Sequence, residues 1–82
     1  MQTPAEVVDA YFLDNRCMLV EIAATLDRFD RAVQRAGAPP DPLDPRLEKI
    51  YESLRMLSEP TATPDRAERI LALFSDPVDP QP

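Results

Sequence analysis

Apolar residues in the first third of this chain recur at helical spacing on two sides at once. From Thr3-Pro4 to Ala36 neither proline nor glycine intervenes after the opening proline. Advancing 100° per residue, Val8, Tyr11, Met18, Leu19, Ile22, Leu26, Phe29 and Val33 gather on one face. Thr3 is suited to cap the first turn, and Pro4 to the first helical position, where a missing N–H costs nothing. Gly37, followed by Pro39 and Pro40, supplies a stop. The pattern predicts a helix over 4–36, roughly 50 Å long at 1.5 Å per residue.

Two shorter helices follow. Asp44-Pro45 is a second start signal, and Leu47, Ile50, Tyr51, Leu54 and Leu57 keep helical spacing up to Pro60, predicting a helix over 45–58. Thr63-Pro64 repeats the signal before Ala67, Ile70, Leu71 and Phe74, predicting a helix over 64–75. The Pro-rich tail, 77–82, carries too much proline to extend it and reads as extended or disordered. Period-two alternation is absent, so no strand is expected. The fold class is all-α, with residues 1–76 forming a single helical domain. The short linkers favour a helical hairpin or three-helix bundle.

The long helix carries a second stripe. Leu13, Cys17, Val20 and Ala24, spaced four, three and four, lie opposite the principal face and form an a/d seam. Covering both sides within 82 residues would need a flat layer of helices. A second copy is the simpler cover, so a homodimer is expected. With the helices antiparallel and residue numbers summing to 37, Leu13 faces Ala24 and Cys17 faces Val20, large against small. In that register Arg16 is expected to meet Glu21, Asp9 to meet Arg28, and Glu6 to meet Arg31, so Arg16 and Glu21 join the interface set. Asn15 falls within the principal face and is expected to be a buried structural amide, bonded to a backbone carbonyl or a tyrosine hydroxyl such as that of Tyr51.

Composition narrows the chemistry. The net charge of −6 argues against nucleic-acid and anionic-membrane binding, which need a cationic footprint. No apolar run reaches the length of a membrane span, and MQTPAEVVDAYF lacks the charge-then-apolar order of a signal peptide. A soluble, cytoplasmic protein is expected. One cysteine allows no internal disulfide. Eight arginines against one lysine suit a GC-rich bacterial genome.

No histidine is present, which removes the commonest general base and metal ligand. Cys17 sits mid-helix on an apolar seam, without the helix N-terminus or histidine that would activate a thiolate. Asp14 and Glu21 form a polar stripe between the two faces, read as solvated rather than metal-binding. Asp27 and Arg31 suit an i,i+4 surface pair. A single glycine leaves no phosphate-cradling loop. No catalytic, metal or cofactor-binding residue is expected.

In outline, LDNRCMLVEIAATLDR and DPRLEK resemble the first-helix arginine segment and second-helix start of the all-α chorismate mutases, small intertwined dimers. That resemblance implies a dimeric helical architecture. It does not imply their activity, because Asp27 stands where their pattern wants a lysine and the third helix is short and lacks their glutamine. An anionic side chain there would repel a dicarboxylate. The reading is therefore a homodimeric interaction or assembly module. The alternatives are an accessory or regulatory subunit that binds another protein through the long helix and, third, a small helical enzyme or carboxylate metal site.

Overall fold

The computed structural model describes residues 1–75 and is all-helical over them, in the order α1 (Pro4–Ala36), α2 (Pro45–Ser58) and α3 (Arg66–Ser75). The Pro-rich tail expected over 77–82 lies outside the described residues. The chain divides into two compact units, residues 1–39 and residues 40 onward.

Unit one is α1 and its ends. Its N-terminus closes as a capping box: the Thr3 hydroxyl accepts the Glu6 N–H at 3.1 Å, and the Thr3 N–H donates to Glu6 Oε1 at 2.8 Å. Those backbone and side-chain bonds to Thr3, in that order, hold the Glu6 carboxyl below its ordinary pKa. At the other end Gly37 takes a left-handed conformation, φ 87°, and its N–H donates to the carbonyls of Val33 at 3.0 Å and Gln34 at 3.3 Å. Both caps are made by residues within the same turn. A helix of 33 residues with both ends satisfied is long enough to repay nucleation from its own ladder.

Unit two pairs α2 with α3. Asp44 caps α2: its carboxylate accepts the Arg46 N–H at 2.8 Å and the Arg46 guanidinium at 3.0 and 2.7 Å. The guanidinium first, then the backbone N–H, lowers the Asp44 carboxyl to about 2. Leu47, Ile50, Tyr51 and Leu54 are half-buried, while Leu57 is exposed. Ser53 is the one buried residue among those described, and its hydroxyl donates to the Lys49 carbonyl at 2.8 Å, so its burial strands no donor.

The start of α3 departs from the expectation of 64. The Thr61 hydroxyl accepts the Thr63 N–H at 3.3 Å and the Thr63 carbonyl accepts the Asp65 N–H at 2.8 Å, which closes a turn where the helix was expected to begin. The Asp65 carbonyl then accepts the first helical bond, from Arg69 at 3.0 Å. The side chains that α3 shelters also differ from the expected stripe. Arg66, Ile70 and Leu73 are half-buried, whereas Leu71 and Phe74, both expected in the packed stripe, are exposed. Arg66 bridges back across the turn, its guanidinium donating to the Glu59 carbonyl at 2.9 Å.

Two tests follow from these caps. A Cβ added at Gly37 would meet no atom within 4 Å, so Gly37→Ala should be penalised only by its left-handed backbone, about 1–2 kcal/mol by denaturant melts. Gly37→Asn should recover part of it. A carboxyl held low in the folded state adds stability above its ordinary pKa and loses it as the pH falls through the folded value. The Asp44 contribution should therefore be complete above 3.8 and fade toward about 2. An NMR titration should place its folded-state midpoint near that lower value.

Candidate functional site

The surface that stands out is α1 itself. It is the only helix in its unit, so nothing within residues 1–39 covers either of its apolar faces. Every residue from Met1 to Glu21 is exposed. On the principal face Val8 is 60% exposed, Tyr11 51% and Leu19 59%, values more usual for surface charges than for large apolar side chains. Phe12, flanking that face, is exposed as well. Farther along, Ile22, Leu26, Phe29 and Val33 are half-buried. Among the described residues no hydrophobic side chain is buried.

The second stripe is equally open over most of its length. Leu13 is 66% exposed and Val20 61%; Cys17 is an exposed free thiol, and Ala24 is half-buried. Arg16 and Glu21 are exposed beside them. Asn15 is exposed in the single chain, its amide donating to the Tyr11 carbonyl one turn back at 2.8 Å. The burial expected of Asn15 is not seen, and the acceptor belongs to its own helix, so this bond ties α1 to no neighbour.

Charge geometry revises the interface set. The seam's seven-residue spacing extends it to Glu6, Asp27 and Arg31. Arg16 and Glu21 lie about 70° to either side of its centre line, on opposite flanks. In an antiparallel pair the two-fold axis is perpendicular to both helices and sets each flank against the same flank of the partner. In an antiparallel pair Arg16 would therefore not meet Glu21 of the second copy, nor Asp9 meet Arg28, whereas Glu6 and Arg31 lie close enough to the seam line that such a copy would bring them together. The Asp27–Arg31 pair expected along α1 is not formed. Ion pairs among the described residues include Arg46 with Asp44, Arg55 with Glu52 and Arg69 with Asp65, all outside α1.

A second feature lies within unit two. An open groove of about 550 Å³ runs beside α2, with Leu43, Pro45, Tyr51 and Leu73 as its apolar lining. Glu48, Lys49, Glu52 and Arg55 edge it, and Arg55 is paired with Glu52. Leu73, near the end of α3, shares this groove with α2 residues from Pro45 to Arg55, so the two helices meet along it. Sequence periodicity missed the groove because its lining comes from the linker, one flank of α2 and the last turn of α3.

Among the described residues no group of three or more acidic, histidine or cysteine side chains is placed to hold a metal ion. Nor, among them, is any helix long and apolar enough to cross a membrane. No family model matches the chain, and neither does any characterised protein or solved structure.

Asn15→Leu removes one exposed side chain–backbone bond and adds a better helix former. Thermal melts should show stability unchanged within about 0.5 kcal/mol or raised. A large loss would place Asn15 in a buried network instead.

Proposed function

We propose that this protein is a homodimeric interaction module, assembled by pairing α1 with α1 of a second copy along Leu13, Cys17, Val20 and Ala24. The observation that carries the reading is a 33-residue helix, alone in its unit, with an exposed apolar stripe on each of two opposite sides. An apolar stripe of this kind gains by leaving water, at about 25 cal/mol per Å², and its own unit has nothing to offer it. Pairing also suits a chain of this size, since small domains commonly gain stability by oligomerising.

The seam supports antiparallel pairing. Parallel helices would stack Glu6 on Glu6, Asp27 on Asp27 and Arg31 on Arg31 along the contact line. Antiparallel helices set Glu6 against Arg31 and large residues against small. Each flank carries charges of both signs, so orientation is left to the seam line. Exposed ion pairs contribute about 0.2–1 kcal/mol each, enough to favour one orientation but not to supply the affinity. The principal face of α1 is then available for the bundle, built within the dimer. No catalytic residue, metal or cofactor enters this reading; without histidine or a glycine-rich loop, the chain lacks the usual means to such chemistry.

The alternative is an accessory subunit whose α1 binds a different protein. Sedimentation of the purified chain separates the two, because the homodimer forms alone whereas the subunit stays monomeric or aggregates. Val20→Glu should give a monomer or an unfolded chain, since burying an unpaired carboxylate near the dyad costs several kcal/mol. Arg31→Glu should weaken the dimer, and adding Glu6→Gln should partly restore it while leaving an amide able to complete the capping box. Arg16→Glu should have little effect in the antiparallel dimer. If instead it weakens association and Glu21→Arg restores it, the helices are parallel, where Arg16 would face the residue five positions on. A wild-type dimer that Val20→Glu leaves intact would remove the seam from the interface.

A further inference from the structure

We propose that the N-terminal half of the principal face of α1 is a second self-association surface, pairing in parallel with the same face of another copy so that Asn15 meets Asn15. The inference goes beyond the seam, which lies on the opposite side of the helix, and does not depend on it. The patch comprises Val8, Tyr11, Phe12, Asn15, Met18 and Leu19, all of them exposed. Ile22, Leu26, Phe29 and Val33 are half-buried, and this part of the face is left for the bundle. Half of a Phe or Tyr side chain offers roughly 100 Å². Five large apolar side chains about half exposed or more therefore offer about 500 Å² per copy, the size of a weak, reversible interface.

Asn15 identifies the occupant. Val8, Tyr11, Asn15 and Met18 are spaced three, four and three, which puts Asn15 at an a position of the heptad and in the middle of the patch. A single asparagine at such a position fixes register and partner number in parallel pairs, at a cost in stability. One amide N–H of Asn15 donates to the Tyr11 carbonyl. Among the described residues nothing donates to its side-chain oxygen, and its second amide N–H has no acceptor. A purely apolar cover would strand those groups, whereas a second Asn15 offers the matching donor and acceptor. Charge sets the orientation. Asp14 and Arg16 stand about 100° to either side of Asn15. Both are exposed, and among the described residues neither is in an ion pair. A parallel two-fold runs along the helices and sets each flank against the opposite one, so Asp14 lies near Arg16 of the other copy, twice. An antiparallel pair centred on Asn15 would set Asp14 beside Asp14 and Arg16 beside Arg16.

The test mixes isotope-labelled and unlabelled full-length chain and reads nuclear Overhauser contacts between copies. Contacts should run from Met18 to Met18 and from Val8 to Val8, because parallel pairing sets equal numbers level. Asn15→Leu should keep the copies associated but add a contact from Met18 to Phe12, which belongs to the antiparallel arrangement, since the orientation is no longer fixed. Three results overturn the proposal: a wild-type chain with no contact between copies at this face, a wild-type chain showing Met18 to Phe12 instead, or an Asn15→Leu chain with the wild-type pattern. The first would mean that another element or another protein covers the patch. Seam contacts, from Leu13 to Ala24, are read in the same spectrum, so failure of this surface is distinguishable from failure of the seam.

Discussion

A helix can hide an apolar face only against another element, and α1 has two such faces and no second element in its unit. That constraint governs the rest of the molecule. Backbone satisfaction is not the difficulty, because Thr3 with Glu6 and Gly37 with Val33 close both ends locally. Side-chain burial is. Leu13 and Val20 on one side, and Val8 and Leu19 on the other, remain more than half exposed. The hydrophobic effect is proportional to area removed from water, so such a helix contributes its stabilisation only when something covers it.

The second unit solves the same problem differently. Its two short helices contact one another, and Arg66 is tied across the connecting segment to the Glu59 carbonyl. Even here the packing is shallow. Ser53 is buried, whereas Ile50, Leu54 and Ile70 are only half so. Charges and caps organise the ends of α2, with Asp44 held by Arg46 at the start and Arg55 paired with Glu52 in the last turn. These are surface interactions of small individual value, and they locate the helix more than they stabilise it.

Assembly is the function proposed here for α1. In the reading proposed above, the seam of α1 joins two copies and leaves the principal face for the bundle. The seam and the groove of the second unit are both built from apolar side chains edged by charge, and neither holds a nucleophile with a base beside it. What distinguishes them is length: the seam runs along two heptads, whereas the groove accommodates a few residues.

Local rules made much of this legible beforehand. The limits of α1 and α2 follow from Thr3-Pro4, Gly37 and Asp44-Pro45, because capping is settled within one turn of chain. The start of α3 was not legible in that way: Thr61 and Thr63 close a turn, and the helix waits for Asp65. Periodicity found both stripes of α1 but could not assign the partner of either. It also placed Leu71 and Phe74 inside, where the structure exposes them, because spacing along one helix does not say which part of a broad apolar face its neighbour meets. The same limit applied to the charges. Arg16 and Glu21 are opposite in sign and equal in height, but their helical phase puts them on opposite flanks of the seam, which an antiparallel two-fold would not bring together. The sequence by itself determined what depends on a few consecutive residues: three helices, their caps and the faces they carry. The tertiary structure decided what depends on residues far apart in the chain, namely which elements pair, which apolar residues stay in water, and where Leu43, Tyr51 and Leu73 come together to form a groove.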